Sequence, residues 1–156
     1  MTQVRPGLHL VRNGVTLRGC AGAQAFDLRE YVPHPVRALA AAPDLRERLF
    51  DFACLTVRVV QFLHTRGPVA SALSYQLLRC GTSAGANYEE ADDGSSDRDS
   101  LAKKKIVLRE LKESRFRLRV LRKCGCLTEE QEPVISESDE LVRIVATVIR
   151  KAEGRQ

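Results

Sequence analysis

The segment from Gln76 to Leu121 constrains the fold of this chain most. It opens as QLLRCGTSAGANYEEA. With Leu73 just before it, Leu77, Ala84 and Tyr88 recur at near-helical spacing, and Gly81, Ser83, Gly85 and Ala86 leave one side without bulk. A helix face of small residues lets a partner helix approach closely, because no side chain holds the two backbones apart. A polar turn, DDGSSDRDS, leads to KKKIVLRELKESRFRLRVL, a second long helical pattern that carries a line of cations. Together the two segments specify a helical bundle.

The rest of the pattern agrees from Asp44 onward. Asp44 is a candidate N-cap, and Leu45, Leu49, Phe52, Thr56, Val59 and Leu63 follow at steps of three and four. This predicts a first helix over 45–66, stopped by Gly67-Pro68. The second is expected over 69–91 and the third over 97–124, capped by Ser96 or Asp97 and ended by Gly125. Thr128 with Gln131 three residues later forms a capping box for a fourth helix over 129–152. Pro133 falls in its first turns, where a missing N–H costs least. Leu141, Val145, Val148 and Ala152 give that helix its apolar stripe. Four helices joined by short turns favour an all-α, antiparallel up-down four-helix bundle over 44–153.

The first 43 residues read differently. They hold four of the six prolines, scattered glycines and no sustained period. They are read as an irregular, disordered N-terminal extension, with a partner-binding arm or translated sequence upstream of the true start as the alternatives. A short helix over 35–42 is conceivable on the same residues.

The chain has 156 residues, which is enough for one domain with a sizeable core. No apolar run reaches the length of a membrane span. Aromatics make up 5% and Trp is absent, so platforms for base stacking of the RNA-recognition or OB-fold type have little material. A net charge of +5 permits a polyanionic partner without requiring one. The five cysteines, an odd number, fit reduced thiols in a cytoplasmic protein. Cys124 and Cys126 are separated by the single residue Gly125, lack the two-residue spacer usual for zinc, and have no histidine nearby in sequence. No metal or other cofactor is expected.

On the third helix Leu108, Leu111, Leu118 and Leu121 define the expected core side. Lys105, Arg109, Lys112, Arg119 and Lys123 are placed about a quarter turn away, as a line roughly 27 Å long at the helical rise per residue. Lys103, Lys104, Arg115, Arg117 and Arg122 thicken the positive field. Such a line can follow a phosphate backbone and release counterions, which gives salt-sensitive, largely sequence-independent affinity. A solvated face eased by Glu110 and Glu113 is the bland alternative. Extra apolar residues accompany the main stripes: Phe50, Val57, Val60 and Phe62 on the first helix, and Ile135, Val142 and Ile149 on the fourth. They predict either a wide core stripe or a subunit interface.

The stretch from Gln76 to Leu127 resembles the four-helix bundle proteins of the 23S rRNA intervening-sequence family. The resemblance rests on Gln76, Leu77 and Arg79, then on Ser83, Asn87, Tyr88, Glu89 and Glu90. The long helix adds Leu108, Leu111, Glu113, Phe116 and Leu118. Looser similarity runs from Asp44 to Arg150. The chain departs from the family pattern at Arg115, where an acidic residue is common, at Arg117, where an aromatic is common, and at Gly81, where Ala is usual. The resemblance implies a cytoplasmic homo-oligomer, a homopentamer in the first instance. It also implies similarity to the accessory protein of diversity-generating retroelements, and so binding to RNA or DNA and to a reverse transcriptase.

Among the matching polar residues, Arg79, Asn87, Glu90 and Glu113 are expected to fix register across the second and third helices, through an Arg–Glu pair and an Asn amide. The catalytic alternative is a hydrolase using Glu90 and Glu113. No nucleophile, metal triad or inward Glu-x-x-His repeat accompanies those residues. Taken with what the resemblance implies, the basic line points to a non-enzymatic, homo-oligomeric nucleic-acid-binding scaffold acting through Lys105, Arg109, Lys112, Arg119 and Lys123. The alternative partner is an acidic protein, without nucleic acid.

Overall fold

Local chemistry at the helix ends defines the elements. In the computed structural model, which describes residues 44–154, the Asp44 carboxylate accepts from the Arg46 backbone N–H at 3.2 Å and opens α1, Leu45–His64. Gly67 adopts φ 104°, a left-handed conformation that a side chain would strain, and Pro68 begins α2, Pro68–Asp92. The Ser96 hydroxyl accepts from the Asp99 N–H at 3.2 Å and opens α3, Asp97–Lys123. That helix ends in a Schellman turn at Gly125, φ 72°: the Cys126 N–H bonds to the Leu121 carbonyl at 2.9 Å and the Gly125 N–H to that of Arg122 at 3.1 Å. The Gln131 Oε1 accepts from the Thr128 N–H at 2.9 Å and from its hydroxyl at 2.8 Å. A single 3-10 turn over Glu129–Gln131 then runs into α4, Glu132–Glu153. The expectations for residues 1–43 lie outside the described residues.

Ion pairs show how the helices run. Arg46 at the start of α1 meets Glu89 and Asp92 at the end of α2. Lys103 near the start of α3 pairs with Glu90, again at the end of α2. Arg122, late in α3, meets Glu132 at the start of α4, and Lys105 meets Glu153 at its end. Each consecutive pair is therefore antiparallel, and the described residues contain no strand. The α2 helix packs extensively on both α1 and α3, whereas α1 and α4 meet over a short stretch. There the Arg48 guanidinium bridges Glu137 at 2.9 Å and Glu140 at 3.2 Å. Burial alone would lower the Arg48 pKa, but hydrogen bonds to Glu140 and Glu137 outweigh it and raise the pKa instead.

The core is built from the apolar stripes: Leu49, Phe52, Val59 and Leu63 of α1, Leu77 and Ala84 of α2, Val107, Leu111 and Leu118 of α3, and Leu141 and Val145 of α4. The second apolar line of α4 belongs to this core too, since Ile135, Val142 and Ile149 are all buried. The wide-stripe reading holds on that helix. On α1 the outcome is split: Val60 is buried, but Phe50 and Val57 remain 62% and 37% exposed.

The small residues of α2 do not share one face. Gly81 lies against Thr56 of α1, and a Cβ at that position would sit 2.5 Å from Thr56 Cγ2. Gly85 lies over the Leu49 carbonyl, with more room at 3.4 Å. Ser83 is only half-buried and Ala86 is exposed. At 3.6 residues per turn those two positions rotate away from the Gly81 side, which corrects the expectation of a single close-packing surface.

Candidate nucleic-acid interface

The α3 helix carries eleven Lys and Arg residues against four Asp and Glu. Its buried stripe is Val107, Leu111, Ser114, Leu118 and Leu121. Leu108, expected in the core, is only half-buried, and Val107 takes the central position. This turns the helix so that Lys105, Arg109, Lys112, Arg119 and Lys123 lie nearly opposite the core rather than a quarter turn from it. All five are exposed.

The five differ in how far neighbours neutralise them. Lys105 Nζ lies 2.8 Å from a Glu153 oxygen, and Arg109 lies 3.2 Å from the carboxylate of the adjacent Glu110. Among the described residues, Lys112, Arg119 and Lys123 have no carboxylate partner. Free positive charge is therefore concentrated on the C-terminal half of the line. The flanking cations are paired instead, Arg115 and Arg122 across to α4 and Arg117 within α3. Arg115 pairs with Asp139 at 3.4 Å, Arg117 with Glu113 at 2.6 Å, and Arg122 with Glu132 at 3.1 Å. Exposed pairs of this kind contribute about 0.2–1 kcal/mol each, so their role is chiefly to cancel local field. Lys104 donates to the Ser100 hydroxyl at 2.8 Å. The hydrogen bond to Glu90 raises the Lys103 pKa.

Beside this half of α3 an open groove of about 990 Å³ runs between α3 and the start of α4. Phe116, Val120 and Ile135 supply its apolar surface, and Arg119, Arg122, Lys123, Glu132 and Asp139 complete its lining. Phe116 is 65% exposed and occupies the same outer face as Lys112, Arg119 and Lys123. Aromatic scarcity across the whole chain gives no hint of this ring, which the sequence marks only as part of the family resemblance. Its signal was positional, because Phe116 is four residues after Lys112 and three before Arg119.

The residues of the resemblance are only partly brought together. Glu90 reaches Lys103 across α2 and α3. Arg79 is exposed with no carboxylate partner among the described residues. The Asn87 amide donates within its own helix, to the Ser83 carbonyl at 2.8 Å, and Glu113 accepts from Arg117 within α3. Gln76 is half-buried. The expected register lock of Arg79, Asn87 and Glu113 is thus replaced by Lys103–Glu90 and by a buried contact, Ser114 Oγ to Cys80 Sγ at 3.1 Å. Asn87 and Glu113 each find a partner one turn away on their own helix, so neither needs the neighbouring one. Glu90 and Glu113 also stay apart. Lys103, the partner of Glu90, precedes Glu113 by ten residues, about 15 Å along α3.

Among the described residues, Cys54, Cys80, Cys124 and Cys126 are free thiols, and no cluster of three metal-ligating side chains occurs. Burial pushes the Cys80 thiol up, partly offset by the Ser114 hydroxyl. No described helix is long and apolar enough to cross a membrane.

With this geometry in place, comparison with known proteins identifies the family. None of the curated proteins matches the chain. A solved structure from Bacteroides thetaiotaomicron VPI-5482, a protein of unknown function from the S23 ribosomal protein family, is 31% identical. It superposes with a TM-score of 0.62, over 67% of this chain and 97% of that one. The family model for the 23S rRNA-intervening sequence protein matches residues 45–147, from the first residue of α1 to well within α4. Family pattern and superposed structure both fall on the helical bundle, and the chain belongs to the 23S rRNA-intervening sequence protein family.

Proposed function

We propose that this protein is a non-enzymatic, self-associating scaffold that holds RNA or DNA by its phosphates along the outer face of α3. One observation carries the reading: Lys112, Arg119 and Lys123 are exposed, share one face, and have no carboxylate partner among the described residues. An unpaired cation releases bound counterions from a phosphate backbone without first giving up an internal ion pair. Self-association is supported by Phe50 and Val57, exposed one heptad apart on α1, and by Tyr75, which is 67% exposed on α2. Assembly, as a homopentamer or another closed ring, would repeat the basic face and convert modest phosphate contacts into avidity.

The test is light scattering of the purified protein with and without a structured RNA, at low and at moderate salt. A multi-subunit particle that takes up RNA at low salt and releases it at moderate salt is expected. The triple variant Lys112→Glu, Arg119→Glu, Lys123→Glu should keep the particle mass and lose the RNA. RNA uptake that ignores both salt and the triple reversal would sink the electrostatic reading. Capture of an acidic protein by a chain that ignores RNA would favour the protein-scaffold alternative.

A further inference from the structure

The outer face of α3 carries one feature that phosphate binding alone does not use, the exposed ring of Phe116. Phosphates are recognised by cations; an exposed aromatic within a cationic row adds a surface for the flat face of a base. We infer that the groove between α3 and the start of α4 takes unpaired nucleotides, with a base stacked on Phe116 and the flanking phosphates held by Lys112, Arg119 and Lys123. This inference rests on the electrostatic reading above and adds a preference for single strands.

Placement supports it. Phe116 is 65% exposed and forms part of the groove wall with Val120 and Ile135. Lys112 precedes it by about one turn, and Arg119 and Lys123 follow by about one and two turns. Cations therefore flank the ring on both sides along the helix axis. The groove's acidic members do not compete for these cations: Asp139 is engaged by Arg115 at 3.4 Å, and Glu132 by Arg122 at 3.1 Å. In a duplex the bases are stacked on one another and their faces are hidden, so only an unpaired base can use the ring. Stacking of this kind tolerates any base, because every base has a π-face.

The experiment is a titration of the full chain against a fluorescently labelled, unstructured single-stranded RNA, and against the duplex of that RNA with its complement. Phe116→Leu retains an apolar side chain but lacks the ring, whereas Phe116→Tyr keeps the ring. Single-strand affinity should fall roughly tenfold in Phe116→Leu and persist in Phe116→Tyr, with duplex affinity unchanged in both. Light scattering of each variant checks that the particle mass is unaltered. Salt-sensitive binding that is indifferent to Phe116, or equal for single strand and duplex, overturns the stacking inference and leaves the electrostatic reading standing. Absence of salt-sensitive binding to either RNA overturns both. A particle mass that changes in Phe116→Leu overturns the inference by making the ring a subunit contact.

Discussion

The α1/α2 seam and the α3/α4 seam both carry ion pairs at their ends and apolar residues inside, but they differ in how closely the helices interlock and in what is left open beside them. Between α1 and α2 the middle of the contact is steric: Gly81 admits the buried Thr56 side chain, and the Thr56 hydroxyl is returned to the Phe52 carbonyl at 2.9 Å. Between α3 and α4 the ends and the edge are electrostatic, through Lys105–Glu153, Arg115–Asp139 and Arg122–Glu132, with an open groove beside them. A steric seam tolerates almost no change in volume, because interiors are close-packed. An ion-paired seam at the surface tolerates exchange and leaves exposed area for a ligand. The contrast predicts that stability is concentrated in the first seam and binding in the second.

The sharpest test of that division lies at Gly81. A Cβ there would approach Thr56 Cγ2 to 2.5 Å and Oγ1 to 2.6 Å. Thr56 is fully buried, β-branched and hydrogen-bonded, so it cannot swing aside cheaply. Gly81→Val should destabilise by about 3 kcal/mol and Gly81→Ala by about 1–2 kcal/mol, despite the better helix propensity of both residues. Thr56→Ala should recover much of the Gly81→Ala loss, as a non-additive pair in a denaturation cycle. Gly85 is the control, because its Cβ would meet only the Leu49 carbonyl at 3.4 Å. Gly85→Ala should be neutral or stabilising by up to about 1 kcal/mol. Equal costs at the two glycines would break the steric account of this seam.

Arg48 tests the short contact between α1 and α4. Its side chain is 17% exposed and bridges Glu137, itself 20% exposed, as well as Glu140. Arg48→Ala would leave the Glu137 carboxylate largely buried without its partner, at a cost of about 1–3 kcal/mol in chemical denaturation. Arg48→Lys should recover only part, since the fork that holds Glu137 through two nitrogens, each at 3.0 Å, is lost. A loss as small as that of an exposed pair would mean that the Arg48 fork adds little to holding α4 against α1.

The pattern of agreement between sequence and structure follows from periodicity. Caps and stops were legible because they are local: Asp44, Ser96, Gly67, Gly125 and the Thr128–Gln131 pair each act within a few residues. The basic line was legible as a set of residues, but its direction was not. Whether Val107 or Leu108 centres the core of α3 depends on where α2 and α4 lie, and this rotates the whole helix. The family departure at Gly81 also needed the structure, since its reason is Thr56, 25 residues earlier on another helix. Phe116 is marked in the sequence only as a family match, and its place on the basic face was not legible, for a related reason. Aromatic scarcity is a property of the whole chain, whereas a binding surface needs only one ring in the right row.

Cys80 lies in the interior between α2 and α3, and its titration offers a smaller, pH-resolved measure of how tightly that interior is closed. Burial raises the thiol pKa, so the folded state holds this proton more firmly than the unfolded chain does. The corresponding stability is fully present below the ordinary thiol range. It is lost as pH rises through that range, where the unfolded chain gains by ionising and the fold does not. Stability measured by denaturant should therefore fall more steeply with alkaline pH in the wild type than in Cys80→Ala. Peptide-resolved alkylation should label the exposed Cys124 well before the buried Cys80. Comparable labelling rates would show that this interior opens more readily than its packing implies.

The least costly changes should be those on the outer face of α3, and that smallness is itself the prediction. Lys112, Arg119 and Lys123 make no ion pair among the described residues, and their side chains are exposed. Reversing all three to Glu should alter stability by no more than about 0.5 kcal/mol per site, the ordinary range for surface substitutions. The sign is set by neighbours: Arg115 and Arg122 sit close on the same helix, and relief of cation repulsion opposes any loss. Thermal melts of the triple variant should therefore overlay those of the wild type, while affinity for single-stranded RNA drops and its salt slope falls by about 0.7 for each phosphate contact removed. A large loss of stability from these three reversals would place the basic line in a subunit or domain interface, and the division between a stabilising seam and a binding seam would fail on the α3 side.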